Sequence, residues 1–339
     1  MPRLSPPPDS PSTHARGLDR RTFLRRTGGC LGQLALLEAT GVLGRDLFAA
    51  DSGALHRVVQ EVPWGRIERV ADGVWAMISA PLEDRRTLCN GGIVAGSDGV
   101  VLVEAFGSPE GATWMAEQAR ALTGRWPDHV VVTHYHGDHS AGLPGVGSES
   151  ARPDVRMTPH TRDRTRETAT SSDQTALLEA LATVTLLPPE RETVLDLGGR
   201  RLRLVPRGGH TASDVTVELD DPSVVFCGDL VWHRFFPNYV DARPAELTAA
   251  VAALARDRST AYVPGHGPMA DAGDLALYRR LLDEVEAQAR AAVDAGRTVE
   301  EAAAAFELSD PLAEWFRFSD AYPQRALGAW MRDLGSAGP

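Results

Sequence analysis

The sequence predicts a layered α/β fold, and three observations carry that expectation. From Trp64 the chain turns β-rich, with RIERVADGVWAMIS followed by GGIVAGSDGVVLVEAFG, where Ser97-Asp98-Gly99 supplies hairpin chemistry between two apolar runs. Residues 109–122 then show helical spacing, with apolar Trp114, Met115, Ala119 and Leu122, and lead into HVVVT, a short buried strand. Strand, helix, strand is the order of a layered α/β protein. Beyond Asp274, finally, Leu275, Tyr278, Leu281, Leu282, Val285 and Ala289 repeat at helical spacing, as a core-facing stripe does.

In chain order, residues 1–50 read as a disordered N-terminus and an export signal. A Pro- and Ser-rich start gives way to DRRTFLRRTGG and then to the mildly apolar CLGQLALLEATGVLG. Adjacent arginines ahead of an apolar region of about 15 residues resemble a twin-arginine signal. That region carries Glu38 and several glycines, too polar and short for a stable membrane span. The expected location is periplasmic or secreted, with the export machinery as a partner; the alternative is a cytoplasmic enzyme with a basic arm. Residues 51–65 read as a linker, 66–282 as the catalytic domain and 283–339 as a C-terminal helical extension. Within the domain, VRMT is a strand and residues 159–181 are a polar, arginine-rich helical or loop region. The strands TVLDL, RLRLV, VTVEL and SVVFCGD follow, with turns at Gly198-Gly199 and Asp220-Asp221-Pro222. Residues 244–256 read as a helix, and AYVPGHG as a strand ending in a glycine-bracketed histidine.

Composition removes several function classes. The net charge is −11, which disfavours a broad nucleic-acid or anionic-membrane surface and favours a small-molecule substrate. All 35 basic residues are arginine, so Schiff-base catalysis, pyridoxal phosphate attachment and the lysine-bearing phosphate loop are excluded. Cys30, Cys89 and Cys227 are widely spaced and form no paired motif. No G-x-S-x-G elbow is present.

The chemistry concentrates in VVTHYHGDHSAG. His134 and His136 point the same way in extended backbone, where side chains alternate with period two, so one metal can take both. Asp138 and His139 fall past Gly137, where the chain can turn and offer ligands to a second ion about 3.5–4 Å away. Neutral imidazole and carboxylate suit zinc or another borderline divalent ion. Downstream, His210 in RGGHTASD, Asp229 at the end of SVVFCGD and His266 at the end of AYVPGHG each follow a β-rich run. In a layered α/β protein such positions gather on loops at a common sheet edge.

With these residues the sequence resembles the metallo-β-lactamase superfamily, and among its branches the glyoxalase-II-type hydrolases, over residues 66–282. The resemblance implies an αββα sandwich, two facing β-sheets with helices outside. It implies that His134, His136 and His210 hold a first metal, Asp138, His139 and His266 a second, and that Asp229 bridges them. The cofactor expected is a pair of zinc ions, with iron or manganese as alternatives. True β-lactamases of this superfamily generally carry Cys or Ser where this chain has Asp229. Family members usually end the strand before the first helix with Asp, where VVLVEAF offers Glu104. Glu104, Thr133 and Thr211 are the expected supports of the ligating side chains.

The function that follows is an exported dinuclear hydrolase cleaving an ester, thioester or lactone of a small molecule. Two divalent ions sharing a water lower its pKa toward neutrality, and Asp138 orients the attacking oxygen or takes its proton. Substrate contacts are expected from the loop LVWHRFFPNYVDARP, at His233, Arg234, Asn238 and Tyr239. The competing readings are an iron-dependent sulfur oxidoreductase, a β-lactamase and a non-catalytic accessory protein to an exported quinoprotein. Oligomeric state is not legible in the sequence.

Overall fold

The computed structural model describes residues 57–147, 151–169 and 174–336; the twin-arginine-type segment lies outside them. Among the described residues the chain forms two sheets. The first is laid down in chain order: β1 (Arg57–Val62), β2 (Gly65–Ala71), β3 (Val74–Ser79), β4 (Gly91–Ala95) and β5 (Val100–Val103) pair antiparallel. After helix α1 (Pro109–Thr123) the chain returns as β6 (His129–Val131), parallel to β5. The short helix α2 (Gly137–Ser140) precedes β7 (Asp154–Met157); α3 (Pro159–Thr168) and α4 (Thr175–Leu181) then lead to β8 (Thr185–Leu186). The second sheet has the order β13-β12-β11-β10-β9. It contains β9 (Thr193–Asp196), β10 (Arg201–Arg207), β11 (Asp214–Asp220), β12 (Ser223–Trp232) and, after α5 (Pro244–Ala253), β13 (Ala261–His266) parallel to β12. Helices α6 (Ala272–Asp294), α7 (Val299–Ala304) and α8 (Ala321–Ser336) close the chain.

Side-chain alternation turns these strands into layers. In β3, Val74, Ala76 and Ile78 enter one apolar cluster while Trp75 and Met77 enter another. The first cluster fills the space between the sheets, where Leu202, Leu204, Val215, Val217 and Phe226 meet them. The second packs the outer face of the first sheet against Ala112, Met115 and Ala119 of α1. A third cluster joins the outer face of the second sheet, through Val225 and Val231, to α5, α6 and α8. Helix, sheet, sheet, helix is therefore the order of the layers, as the αββα expectation requires. No described helix is long and apolar enough to cross a membrane.

Helix ends follow from local chemistry. Ser108 caps α1 by accepting from the Gly111 amide, Pro109 occupies the first turn, and Gly124 takes the left-handed conformation that ends it. Asp271 and Asp274 form a reciprocal capping box at the start of α6.

Two boundaries drawn from the sequence differ from the elements observed, and the C-terminal region, helical as expected, contains one non-helical stretch. Residues 57–62, placed in a linker by the sequence, form β1. Its residues are exposed except half-buried Val62, and a bulge between Val58 and Gln60 breaks the register, so no clean alternation marks it as a strand. The proposed boundary at 282 falls inside α6, whose buried stripe continues through Ala289 and Ala292. Between α7 and α8 the chain is not helical apart from a 3-10 turn at Leu312–Glu314. Instead it runs back to the end of β12, where the Phe316 amide donates to the Arg234 carbonyl and the Phe236 amide to the Phe316 carbonyl.

Candidate metal centre

The centre is assembled at one end of both sheets. After β6 the chain stays extended through His134 and His136, and Gly137 opens α2, whose single turn swings Asp138 and His139 inward. His210 stands on the loop between β10 and β11, and His266 is the last residue of β13. Asp229 differs from expectation: it lies inside β12, which runs on to Trp232. The ladder with β13 shifts register between Gly228 and Trp232, and this irregularity lets an uninterrupted strand turn the carboxylate into the site.

Seven side chains converge as two groups, His134, His136, His210 with Asp229, and Asp138, His139, His266 with the same Asp229. Within each group the donor atoms lie within 4.8 Å of one another. The Nδ1 of His136 stands 3.1 Å from His134 Nε2 and 2.9 Å from His210 Nε2. Asp229 Oδ2 faces this first group, 3.3 Å from His210 Nε2. Asp229 Oδ1 faces the second, 3.0 Å from His139 Nε2 and 3.4 Å from His266 Nε2. Asp138 Oδ2 completes it, 3.2 Å from His266 Nε2 and 3.5 Å from His139 Nε2. Neighbouring ligands of a tetrahedral zinc ion stand about 3.3 Å apart, so both groups are spaced to grip a divalent cation.

Several of the donor atoms also lack a hydrogen-bond partner among the described residues. Asp138 Oδ2, both Asp229 oxygens, His139 Nε2 and both His266 nitrogens are buried without a hydrogen-bond partner. Such groups are costly to bury unless something pairs with them, and a cation is what a set of lone pairs accepts. Burial pushes the His134 ring well below the usual histidine range and His210 down to about 3, which keeps both neutral. Burial alone would raise Asp229 and Asp138. The histidines around them outweigh it and hold both well below the carboxylate range. Burial likewise opposes charge on His266, but Asp229 and Asp138 lift it to about 9, so a proton and a metal ion compete for that ring.

The supporting residues are partly those anticipated. Thr133 donates from Oγ1 to Glu104 Oε1 at 2.6 Å and sits 2.9 Å from His134 Nδ1, leaving His134 Nε2 for the centre. Glu104 also stands 3.1 Å from His139 Nδ1, and its own φ of 79° bends the chain at the end of β5. Thr211 does not reach an imidazole. Its hydroxyl donates to Asp214 Oδ1 at 2.9 Å and its amide to Oδ2, and burial raises Asp214 to about 7 against those bonds. Asp241 was missed: its Oδ2 stands 3.1 Å from His136 Nε2 and accepts from the Tyr135 hydroxyl, which fixes Nδ1 of His136 as the inward atom. The signal available was an acid within the same loop, two residues past Tyr239. Asn90 was missed too; its side-chain amide donates to the carbonyls of Pro264 and Gly267 and so clamps the strand end that carries His266.

The expected substrate contacts fare differently. His233 is buried, with Nδ1 3.0 Å from the Met269 carbonyl oxygen and Nε2 3.2 Å from Asp274. Tyr239 is buried in the cluster formed with α6 and α8. Asn238 is buried and accepts from Arg325. These three side chains hold the loop onto the C-terminal helices, whereas Val240 and Asp241 of the same loop are exposed. Arg234 is half-buried with a φ of 61° near Asp274. The open side of the centre lies instead at His136, 14% exposed, and Asp241, 39% exposed.

Comparison with known proteins bears on the family and the fold. Residues 84–288 match the metallo-beta-lactamase superfamily. A hydroxyacylglutathione hydrolase of Acidiphilium cryptum is 29% identical over 167 residues, 48% of this chain and 59% of that protein. An atrochrysone carboxyl ACP thioesterase of Pseudocercospora fijiensis is 23% identical over 129 residues, 38% of this chain and 33% of that one. The chain thus spans under two thirds of either relative. Among solved structures, a metallo-beta-lactamase from Pontibacter korlensis superposes with a TM-score of 0.54 at 22% identity, covering 65% of this chain and 99% of its own, a likeness of fold. With more than half its length matched, the chain belongs to the metallo-beta-lactamase superfamily.

Proposed function

We propose that the protein is a metal-dependent hydrolase of small-molecule esters or thioesters, and that its cofactor is a pair of divalent ions, zinc in the first instance. The observation that carries this reading is the pair of donor groups sharing Asp229, with buried lone pairs that nothing else occupies. A thioesterase and a hydroxyacylglutathione hydrolase among the relatives support an acyl substrate. Held by His134, His136 and His210 on one side and Asp138, His139 and His266 on the other, divalent ions would supply Lewis acidity and a lowered pKa for water.

The chain's own residues do the rest. Thr133, Glu104 and Asp241 fix the orientations of His134, His139 and His136, so the centre is formed before substrate arrives. Asp138 is the carboxylate placed to orient the attacking water and take its proton. In the net reaction the water oxygen bonds to the acyl carbon, the carbon–sulfur bond breaks, and the departing thiolate takes up a proton to give carboxylic acid and thiol. The export reading of residues 1–50 belongs to the same proposal, and cell fractionation of the full chain tests it.

Elemental analysis of the purified protein, with a panel of esters, thioesters, lactones, phosphodiesters and β-lactams, tests the assignment. Two equivalents of zinc and turnover of an acyl substrate are expected. His136→Ala and Asp229→Ala lose metal and turnover together while circular dichroism stays native. One equivalent of iron, or full metal and turnover in either variant, overturns the reading.

A further inference from the structure

The segment between α7 and α8 lies beyond residue 288, where the family match ends, yet it returns to the metal centre. Backbone hydrogen bonds between Phe316 and the Arg234–Phe236 stretch pin it against the end of β12. This places Phe318 with its ring centroid 6.4 Å from that of His266 and 6.1 Å from that of Trp232. Trp232 itself lies 4.2 Å from His266 and is fully buried. Phe318 is also stacked on Phe235 at 5.5 Å and meets Phe316 edge-on at 5.1 Å. Phe318 is thus wedged among aromatic rings, but unlike Trp232 and Phe235 it remains half-exposed.

A fixed, partly exposed aromatic ring thus stands beside Trp232 and 6.4 Å from a metal-centre histidine, adding an apolar wall to a centre whose donor groups are imidazole and carboxylate. Burying an exposed phenyl face is favourable only if a ligand covers it, and aromatic partners gain a further ~0.5–1.5 kcal/mol from edge or offset packing. Pockets commonly combine such an apolar wall with a few polar groups that fix orientation.

We infer that Phe318, supplied by the C-terminal segment, is a specificity-determining residue, and that the substrate carries an aromatic ring within a few bonds of the scissile carbonyl. This rests on the hydrolase reading for its chemistry but not for its contact.

The test compares S-ethyl thioacetate with S-ethyl phenylthioacetate, which carries the ring on the acyl side, and with S-benzyl thioacetate, which carries it on the leaving side. The zinc-loaded full chain is used. One ring-bearing substrate is expected to exceed the ringless one at least tenfold in kcat/KM, mainly through KM, and Phe318→Ala is expected to shrink that preference below threefold. Equal kcat/KM across the three, or a preference that survives in Phe318→Ala, overturns the inference. Phe318→Leu carries the same comparison if the alanine variant does not fold by circular dichroism. Absence of turnover on all three would count against the hydrolase reading alone, and calorimetric titration with phenylacetohydroxamate and acetohydroxamate then decides the contact. Tenfold tighter binding of the phenyl compound, lost in Phe318→Ala, supports the wall; equal affinities sink it.

Discussion

Glu104 shows how one carboxylate can organise a metal centre it does not enter. Its Oε1 accepts from the Thr133 hydroxyl and stands beside His139 Nδ1, and its Oε2 accepts from the Thr133 amide at 3.2 Å. One buried anion thus braces a histidine of the second group directly and one of the first through Thr133. Glu104→Gln keeps the size and one carbonyl oxygen but removes the charge that favours a proton on His139 Nδ1. Metal affinity is expected to fall about 10–100-fold, read by competition with a chromophoric chelator, with native circular dichroism. Unaltered affinity would mean that Glu104 serves the strand end alone. At this scale the H-x-H-x-D-H cluster was legible because its geometry follows from local backbone periodicity. Asp241 and Asn90 were not, because they act on His136 and on the end of β13 across 105 and more than 170 residues of chain. Asn90 carries no local pattern, Asp241 offers only an acid in the loop after β12, and the folded contact gives both their role.

Two adjacent parallel strands, β12 and β13, make the bridge between the donor groups, and their glycines are what permit it. A Cβ on Gly265 would overlap Asp229 Oδ1 and crowd the Gly228 carbonyl carbon. Gly228 itself has a φ of 51°, and its own Cβ would press on Thr133. Gly265→Ala must therefore displace the carboxylate that both groups share. The overpacking costs about 1–3 kcal/mol, which a domain of this size survives, but bound metal is expected to fall below one equivalent because each group loses its common ligand. Elemental analysis beside thermal unfolding checks this; two retained equivalents would show that Asp229 moves freely and does not bridge. Most strands were legible from alternation and bounding turns, as with RLRLV and VTVEL. The continuation of β12 past Asp229 was not, since a shift of register leaves no mark in composition. Nor was β1, whose residues lack a buried face to impose alternation.

Across the whole molecule, the order of layers was legible because period-two apolar runs on both sides of a helical segment can bury their faces in few ways. The C-terminal region was legible as helices but not as part of the same core. The third apolar cluster takes Val225 and Trp232 from β12, Leu247 and Val251 from α5, and Leu281 and Val285 from α6, and it closes only with Leu312, Trp315, Tyr322, Leu327 and Trp330. All five of those closing residues are at most 7% exposed. Burying a large apolar side chain contributes about 1.5–3 kcal/mol, so five together approach or exceed the ~5–15 kcal/mol by which a domain is stable. A chain ending at residue 304 is therefore expected not to fold on its own: it should accumulate as aggregate, or as a species that binds 8-anilinonaphthalene sulfonate and lacks near-ultraviolet circular dichroism. A truncated protein that stays monomeric with native near-ultraviolet signal and a full complement of metal would show that the C-terminal helices are an appended module. Such a result would confine the role of this region to Phe318 and its aromatic neighbours beside His266.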